Sequence, residues 1–594
     1  MRGFVLLFDT QPATPLDSDD ALVQRLAQWE SGCGSTRVKR LEHPHCRLYR
    51  YTASDAVAAE FNQRAWHTPD ALWLWTGPRV DMTSEGLLMA PLSHDVAALA
   101  AQAVAAPGVM DTAVCVSYRA AEHSLMVKTD VLSATAVFWT RQGRWLLLSN
   151  SSLMLARLVR AQINPVAASE FLASGSIYAN SSLYSGIGTL RPATVQVFTT
   201  GGAVASQEYW NLAELPFNTL TAAQACESIV VELDQDFQAL DATGKTFILD
   251  LTGGYDSRTN LGFALRNLKH FQTTVTGRAG DEDVVLSAAL ARHFKLTHTV
   301  VEPAAPDDPG TAGRLADSVL MTDLEYDITE YARIYKAQTQ FDSLHQPSIH
   351  GSGGGDIARN IILRPKYCDT TPDGRLVVEP LIQQRFRSLI PAAMGRAGLP
   401  IADWTPHMRQ RIAAHDCPDL PAYVRLDIIY LRMRMQFWQG RIGSSTNRFR
   451  SSFSPWTNRR VLEAMLSTHW KQRDHQMLSR QLLRALHPEL SRVGISRGEP
   501  AGPGLLDVFS GLPARLRYYA GRIEARLGKP AAAPTDPTAY RHLAAKWEEV
   551  LTPVLKPEAL SALLSASGPA TQPQVLGRLV TLAQVPENLN AAFR

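Results

Sequence analysis

The 594-residue chain lacks any run of about 18 apolar residues, the length that a membrane-crossing helix needs. Its opening stretch, MRGFVLLFDTQPATPLDSDD, has one Arg and only a short apolar patch, too little for a secretory signal. A cytoplasmic protein with no membrane partner is the expectation. Charge of neither sign is in excess: 59 Lys plus Arg stand against 56 Asp plus Glu, a net of +3. That balance argues against nucleic acid or an anionic surface as a partner. Cysteine is scarce and scattered, at Cys33, Cys46, Cys115, Cys226, Cys368 and Cys417, with no C-x-x-C pair. This excludes a disulfide scaffold and a paired zinc site, and predicts reduced, mostly buried thiols. No internal repeat is present.

What is there can fill ordinary cores: 45% of residues are hydrophobic and 19% charged. At roughly 150 residues per domain the length allows four domains, or two larger ones. The first stretch, to about residue 210, is β-rich with some helix. Strands are expected at 113–120, 124–130 and 145–150, with a further strand and a Gln-Gly turn between the last two. This is a layered α+β or sheet-on-sheet pattern. A helix is expected over 221–240, with Thr221 as its N-cap.

Then the texture changes. Strand, glycine turn and helix (245–267), strand (270–277), helix (281–294), strand (296–302) and strand (347–351) predict an α/β doubly wound parallel sheet. Beyond about 415 the chain reads as mainly helical. The stretches GEPAGPGLLD and GKPAAAPTDPTA read as linkers before a helical appendage. The expected domains are 1–212, 218–500 and 501–594.

Two glycine loops carry the chemistry. In the first, a buried strand runs into Leu251-Thr252-Gly253-Gly254-Tyr255-Asp256-Ser257, with a helix beginning near Asp256. Outward backbone N–H groups and the positive helix end make such a junction an anion site. The Thr252 and Ser257 hydroxyls add donors. Asp256, an anion beside an anion, makes sense as a holder of Mg²⁺ that bridges phosphates. The plainer reading is a strand-to-helix turn. The loop is no Walker loop, since G-K-[ST] is absent, and no G-x-G-x-x-G fingerprint occurs. The second loop is His350-Gly351-Ser352-Gly353-Gly354-Gly355-Asp356, whose Asp lies one hundred residues after the first. Its plainer reading is a flexible linker.

The first loop resembles the S-G-G-x-D-S pyrophosphatase (PP) loop of enzymes that split ATP between its α and β phosphates. Together the loops resemble those of asparagine synthetases and β-lactam synthetases, where the second ends in another magnesium carboxylate. Thr276-Gly277, Asp281-Glu282-Asp283 and His298 follow the first loop as in that family. The stretches LMVKTDVLSATAVFWTRQGRWLLLSNSSLML and YSGIGTLRPATVQVF resemble sections of its N-terminal domain.

The resemblance implies an Ntn-hydrolase-like α+β layered domain, a doubly wound PP-loop synthetase domain, and a helical C-terminal part. It implies ATP and Mg²⁺, with Asp256 and Asp356 as metal carboxylates. Leu251, Thr252, Gly253, Gly254, Ser257, Thr276, Gly277, Ser352 and Gly353 would line the nucleotide. The implied reaction is amide formation through an acyl-adenylate, releasing pyrophosphate and then AMP.

The departures from the family sharpen this. Its glutamine-hydrolysing members carry a cysteine at position 2, where this sequence has Arg2, so the resemblance implies no glutaminase activity. The β-lactam synthetases and lasso-peptide cyclases share that loss, and their nucleophile is an amine of the substrate. The specific expectation is macrolactam formation in a lasso-type peptide. Its partners would be a peptide or small molecule carrying carboxylate and amine, and a leader peptidase of the same pathway. The alternatives are an amide synthetase of another secondary-metabolite or polysaccharide pathway, or a silent nucleotide-binding scaffold.

Gly353 stands where the family has Glu or Tyr. Arg480 or Arg484 is the nearest counterpart of the family's lysine that stabilises charge in acyl transfer; a surface arginine is the plainer reading. The polar, basic stretch 441–456 either flanks the cleft or is a solvated connection. Glu325, Tyr326, Asp327 and Glu330 either meet a substrate amine or form a solvated helix face.

Overall fold

A computed structural model describes residues 2–12, 20–32, 37–52, 63–78, 97–98, 101, 112–303, 310–341, 346–353, 355–360, 362–390, 399–491, 493–498, 501–502, 516, 551, 563 and 573–590. Among the described residues the N-terminal part holds twelve strands. They are β1 (Arg2–Asp9), β2 (Arg37–His43), β3 (Cys46–Thr52), β4 (Gln63–Thr68), β5 (Ala71–Thr76), β6 (Val114–Arg119), β7 (Ser124–Lys128), β8 (Phe138–Gln142), β9 (Trp145–Ser149), β10 (Gly188–Thr189), β11 (Thr194–Phe198) and β12 (Val204–Glu208). They form two antiparallel six-stranded sheets, ordered β10-β8-β9-β1-β3-β2 and β12-β11-β7-β6-β5-β4.

Strand β1 shows why the sheets stack. Successive side chains of a strand point to opposite faces. Phe4, Leu6 and Phe8 pack with Leu72, Leu74, Val116 and Leu125 of the second sheet. Val5 and Leu7 join the core that includes Leu22 and Leu26 of the helix Ala21–Gly32 and Leu155 and Leu158 of the helix Ser152–Val159. The run FVLLF is fully apolar because both of its faces are covered.

The helix Ala222–Ala242 then crosses to the second unit. Thr221 and Gln224 cap it reciprocally, each side chain meeting the other's backbone N–H. Five short parallel strands follow: β13 (Phe247–Asp250), β14 (Phe271–Thr276), β15 (His298–Val301), β16 (Ser348–Ile349) and β17 (Ser452–Phe453). Their order is β15-β14-β13-β16-β17, all pairs parallel. The chain builds outward from β13 in one direction, then returns to build from β16 in the other. The change of direction between β13 and β16 opens a crevice at their carboxyl ends, where open α/β sheets bind ligands.

Two expectations need correction. The stretch 441–456 is not a solvated connection: it supplies β17, and Arg450 and Ser454 are buried. The acidic group after β15 is not a solvated face, since Glu325, Tyr326 and Asp327 are buried. Glu325 accepts from the Ser152 hydroxyl at 2.8 Å and pairs with Arg441 at 3.1 Å. Asp327 instead caps the helix Ile328–Gln338, accepting from the N–H groups of Thr329 and Glu330. Most of the expected C-terminal appendage, and both expected linkers in large part, lie outside the described residues, as does Cys33. Within that appendage the helix Pro573–Ala583 packs on the N-terminal helix Pro165–Ser174 and on Ile328–Gln338. Its Arg578 donates to the Leu172 carbonyl at 3.0 Å. The other five cysteines are free. Among the described residues no helix is long and apolar enough to cross a membrane.

Candidate active site

The first glycine loop leaves the carboxyl end of β13, and the helix Tyr255–Asn267 starts directly after it, with Gly254 as a cap lacking a side-chain bond. The Leu251 N–H is tied to the Thr274 carbonyl of the neighbouring strand at 2.8 Å, which fixes the base of the loop. The loop N–H groups do not all point outward as the sequence led us to expect. Thr252 donates to Ser257 Oγ at 3.1 Å, and Gly254 to Thr252 Oγ1 at 3.2 Å. Gly253 donates to the Asp283 carboxylate at 2.9 Å. The loop therefore already holds an anionic oxygen, as the partial positive charge of a helix start favours.

The second loop leaves β16, next to β13 in the sheet, and the two loops touch. A Cβ on Gly355 would lie 2.9 Å from Asp256 Oδ1 and 3.2 Å from the Trp456 ring, so any larger residue there would push the Asp256 carboxylate aside. Asp256 and Asp356 meet on one guanidinium: Arg359 Nη2 donates to Asp256 Oδ2 at 2.9 Å and to Asp356 Oδ1. Asp356 also accepts from the Tyr430 hydroxyl. Burial, and then the Asp356 charge, push the Tyr430 hydroxyl far above its ordinary pKa, so it stays a donor. Each carboxylate keeps about a fifth of its side-chain surface exposed. The two carboxylates offer a metal hard oxygen donors. Such a pair suits Mg²⁺, which is completed by water and substrate phosphates. Among the described residues no cluster of three or more His, Cys, Asp and Glu could form an all-protein metal cage.

Gly353 has a structural reason. Its φ is +138°, and a Cβ would lie 2.8 Å from both Ser454 Oγ and Trp456 Cβ. A Glu or Tyr does not fit this backbone. Its N–H donates to Gln439 Oε1 at 3.1 Å. Ser352 Oγ bonds His350 Nδ1. Thr276 and Gly277 follow at the carboxyl end of β14, on the same edge of the sheet. His298 bridges Thr273 and Ser287 and stays with the sheet and its covering helix. Arg480 is buried, not a surface arginine, and donates to the Gly502 carbonyl, whereas Arg484 is exposed. Arg359, rather than Arg480, is the cation on the carboxylates.

Sequence reasoning missed Arg359, Tyr430, Gln439 and the Asp283 contact. Arg359 had a usable signal: it lies three residues after Asp356, on the same face of a helical turn. Tyr430 and Gln439 sit 74 and 86 residues from their partners and gave none.

Asp250, at the end of β13, adds a pH dependence. Burial raises its carboxyl to about 7, against the opposing pull of Arg450. A raised carboxyl contributes stability fully below its unfolded value, near 3.8, and loses it as pH rises through about 7. Between those limits the folded chain holds more protons than the unfolded one. We expect Asp250→Asn, which cannot ionise, to gain stability relative to wild type as pH rises through this window. Urea midpoints of both proteins across the range measure this, and a constant difference would count against a raised Asp250.

No protein-family model matches this sequence, and no curated protein matches it. Among solved structures, a glutamine-dependent NAD⁺ synthetase from Acinetobacter baumannii in complex with ADP shares 13% identity at a TM-score of 0.18. That match covers 30% of this chain and 33% of the other, so this chain spans about a third of its length. A glutamine phosphoribosylpyrophosphate amidotransferase from B. subtilis, complexed with ADP and GMP, shares 10% identity at a TM-score of 0.21, over 64% of this chain and 88% of that one. Similarity of this degree leaves the fold and the activity to be argued from the chain itself.

Proposed function

We propose that this chain is an ATP-dependent ligase that adenylates a carboxylate and passes the acyl group to an amine. The observation that carries the reading is the meeting of Asp256 and Asp356, each from a glycine loop, at the crevice between β13 and β16. The resemblance of both loops to those of asparagine and β-lactam synthetases supports it.

In the first step a substrate carboxylate oxygen bonds to the α-phosphorus of ATP, and the bond from that phosphorus to the pyrophosphate oxygen breaks. The positive end of the helix Tyr255–Asn267 and the Thr252 and Ser257 hydroxyls favour the departing pyrophosphate. Magnesium held by Asp256 and Asp356 would neutralise phosphate charge. Arg359 is placed to trade carboxylate oxygens for phosphate oxygens. In the second step an amine nitrogen bonds to the acyl carbon, the bond to AMP breaks, and the nitrogen gives up a proton. Full-length protein with Mg²⁺, ATP, labelled pyrophosphate and a peptide bearing an Asp or Glu side chain should exchange label into ATP. Release of ADP and phosphate instead would refute adenylation.

The finer proposal is that carboxylate and amine belong to one peptide, giving a lasso-type macrolactam. The support is chemical: with no glutaminase cysteine at position 2, an amine of the substrate itself is the simplest nucleophile, and a cleft between the two units, partly open to solvent, could hold it. A tethered amine reaches an effective molarity of about 10⁵ M or more when well oriented. Mass spectrometry of the product from the natural substrate should show the loss of one water from a single molecule. A mass equal to the acid plus ammonia, or to two joined molecules, points instead to an open-chain amide of another pathway.

A further inference from the structure

Behind the second glycine loop lies a buried ion pair that the proposed chemistry does not use. Arg473, with no exposed side-chain surface, donates through Nη2 to Asp427 Oδ2 at 2.6 Å and through Nη1 to the Ile357 carbonyl at 2.8 Å. Ile357 directly follows Asp356. Arg473 ends the short helix Trp470–Arg473, and the Trp470 carbonyl accepts from Asn360 Nδ2 at 2.7 Å. That helix thus holds the turn 355–360 at two points.

Asp427 reaches the same turn from another helix. It lies in Ala422–Ile429, which continues into the π-helical stretch Tyr430–Gln439. Residues three apart on a helix share a face, and Asp427 and Tyr430 are so spaced. The Tyr430 hydroxyl holds the Asp356 side chain. Asp427, through Arg473, holds the main chain one residue further on. One helix face therefore fixes both the carboxylate of Asp356 and the backbone that carries it.

Stability alone is a weak reason for this pair. Two charges taken out of water lose hydration that their attraction hardly offsets, and an apolar pair of similar volume often serves a core as well or better. Burial raises the Asp427 carboxyl against the pull of Arg473. Arg473 Nε is itself buried with no partner among the described residues. What a guanidinium adds is direction: its planar fork fixes the angle between the Asp427 carboxylate and the Ile357 carbonyl.

We propose that Arg473, held by Asp427, is the positioning residue for Asp356 and sets how tightly the carboxylate pair grips a divalent cation. This rests on the reading of Asp256 and Asp356 as metal carboxylates. Groups one step behind a metal ligand typically change metal affinity about 10–100-fold.

Mn²⁺ alone, read by the loss of its free electron-paramagnetic signal on full-length protein, is the probe. Arg473→Met by itself strands the Asp427 charge, so Asp427→Leu is combined with it. The urea midpoint of this double variant should stay near wild type while Mn²⁺ binding weakens about 10–100-fold. Asp356→Asn should weaken Mn²⁺ binding in the wild-type background and add little in the double variant, because both changes act through one carboxylate. Arg473→Lys, which keeps the charge without the fork, should fall between wild type and the double variant. In metal-free protein, deuterium exchange at the amides of 355–360 should quicken in the double variant. Wild-type Mn²⁺ affinity in the double variant overturns the assignment. So does a loss that adds fully to that of Asp356→Asn, or one that runs in step with a loss of stability. If wild type binds no Mn²⁺ but exchange at 355–360 still quickens, the metal reading fails and Arg473 stands only as the anchor of the loop.

Discussion

Asp256→Ala and Asp356→Ala should each cut AMP formation by about 100-fold or more while the protein stays folded. Each carboxylate sits at the open end of the parallel sheet, partly exposed, rather than in the core. Removing one leaves Arg359 paired with the other, so no buried charge is stranded. The folded state therefore loses little. Catalysis loses one of two fixed negative groups that would hold Mg²⁺ against the phosphates. Deleting a single preorganised electrostatic group of this kind costs about 10²–10³ in rate. Circular dichroism and AMP release on the same samples provide the check. Near-normal AMP formation by either variant removes that residue from the pair.

A large loss of stability, rather than activity, is expected from Asp323→Ala. Asp323 and Leu324 both adopt left-handed φ, +55° and +64°, which non-glycine residues hold only when their surroundings enforce it. The enforcement is visible. The Asp323 carboxylate accepts from the Ser151 hydroxyl at 2.7 Å, the Ser152 N–H at 2.9 Å and Arg448 Nη1 at 2.8 Å. Ser151 and Ser152 belong to the N-terminal unit, so this acid joins the two halves. Burial works against the Arg448 charge, but the Asp323 carboxylate outweighs it and raises the guanidinium's pKa. Removing the acid strands that cation, which costs about 3–5 kcal/mol. Asp323→Ala combined with Arg448→Met should recover part of the loss, because no unpaired charge then remains. The first unfolding transition in urea measures both. A cost below about 1 kcal/mol for the single variant would mean that the pair does not hold the halves together.

The elements read most directly from the sequence are those whose signal is local. The strands β13, β14 and β15, and the helices between them, follow from short apolar runs and helical spacing. The two glycine loops sit where strand-to-helix punctuation put them, and Thr221 caps its helix. Contacts between distant segments left little trace. β17 is two residues long and lies among serines and arginines, so no apolar run marked it. Glu325 read as an acid of a solvated helix face or of the substrate site because its partners, Ser152 and Arg441, are more than a hundred residues away. The departure at Gly353 was legible as a difference, but its cause, a positive φ against Ser454 and Trp456, needed the fold.

The helix Pro573–Ala583 has a consequence for how the molecule is made. Arg578 bonds the Leu172 carbonyl across 406 residues of chain. A ribosome adding about 5–20 residues per second takes tens of seconds to cover that distance. For that interval the Leu172 carbonyl lacks this partner, while Leu389 and Arg411, which bond Ala173 and Glu170 of the same helix, emerge earlier. The contact of this helix with both units is thus a late event in biosynthesis, after those of Asp323 with Ser151 and of Ser444 with Ala136.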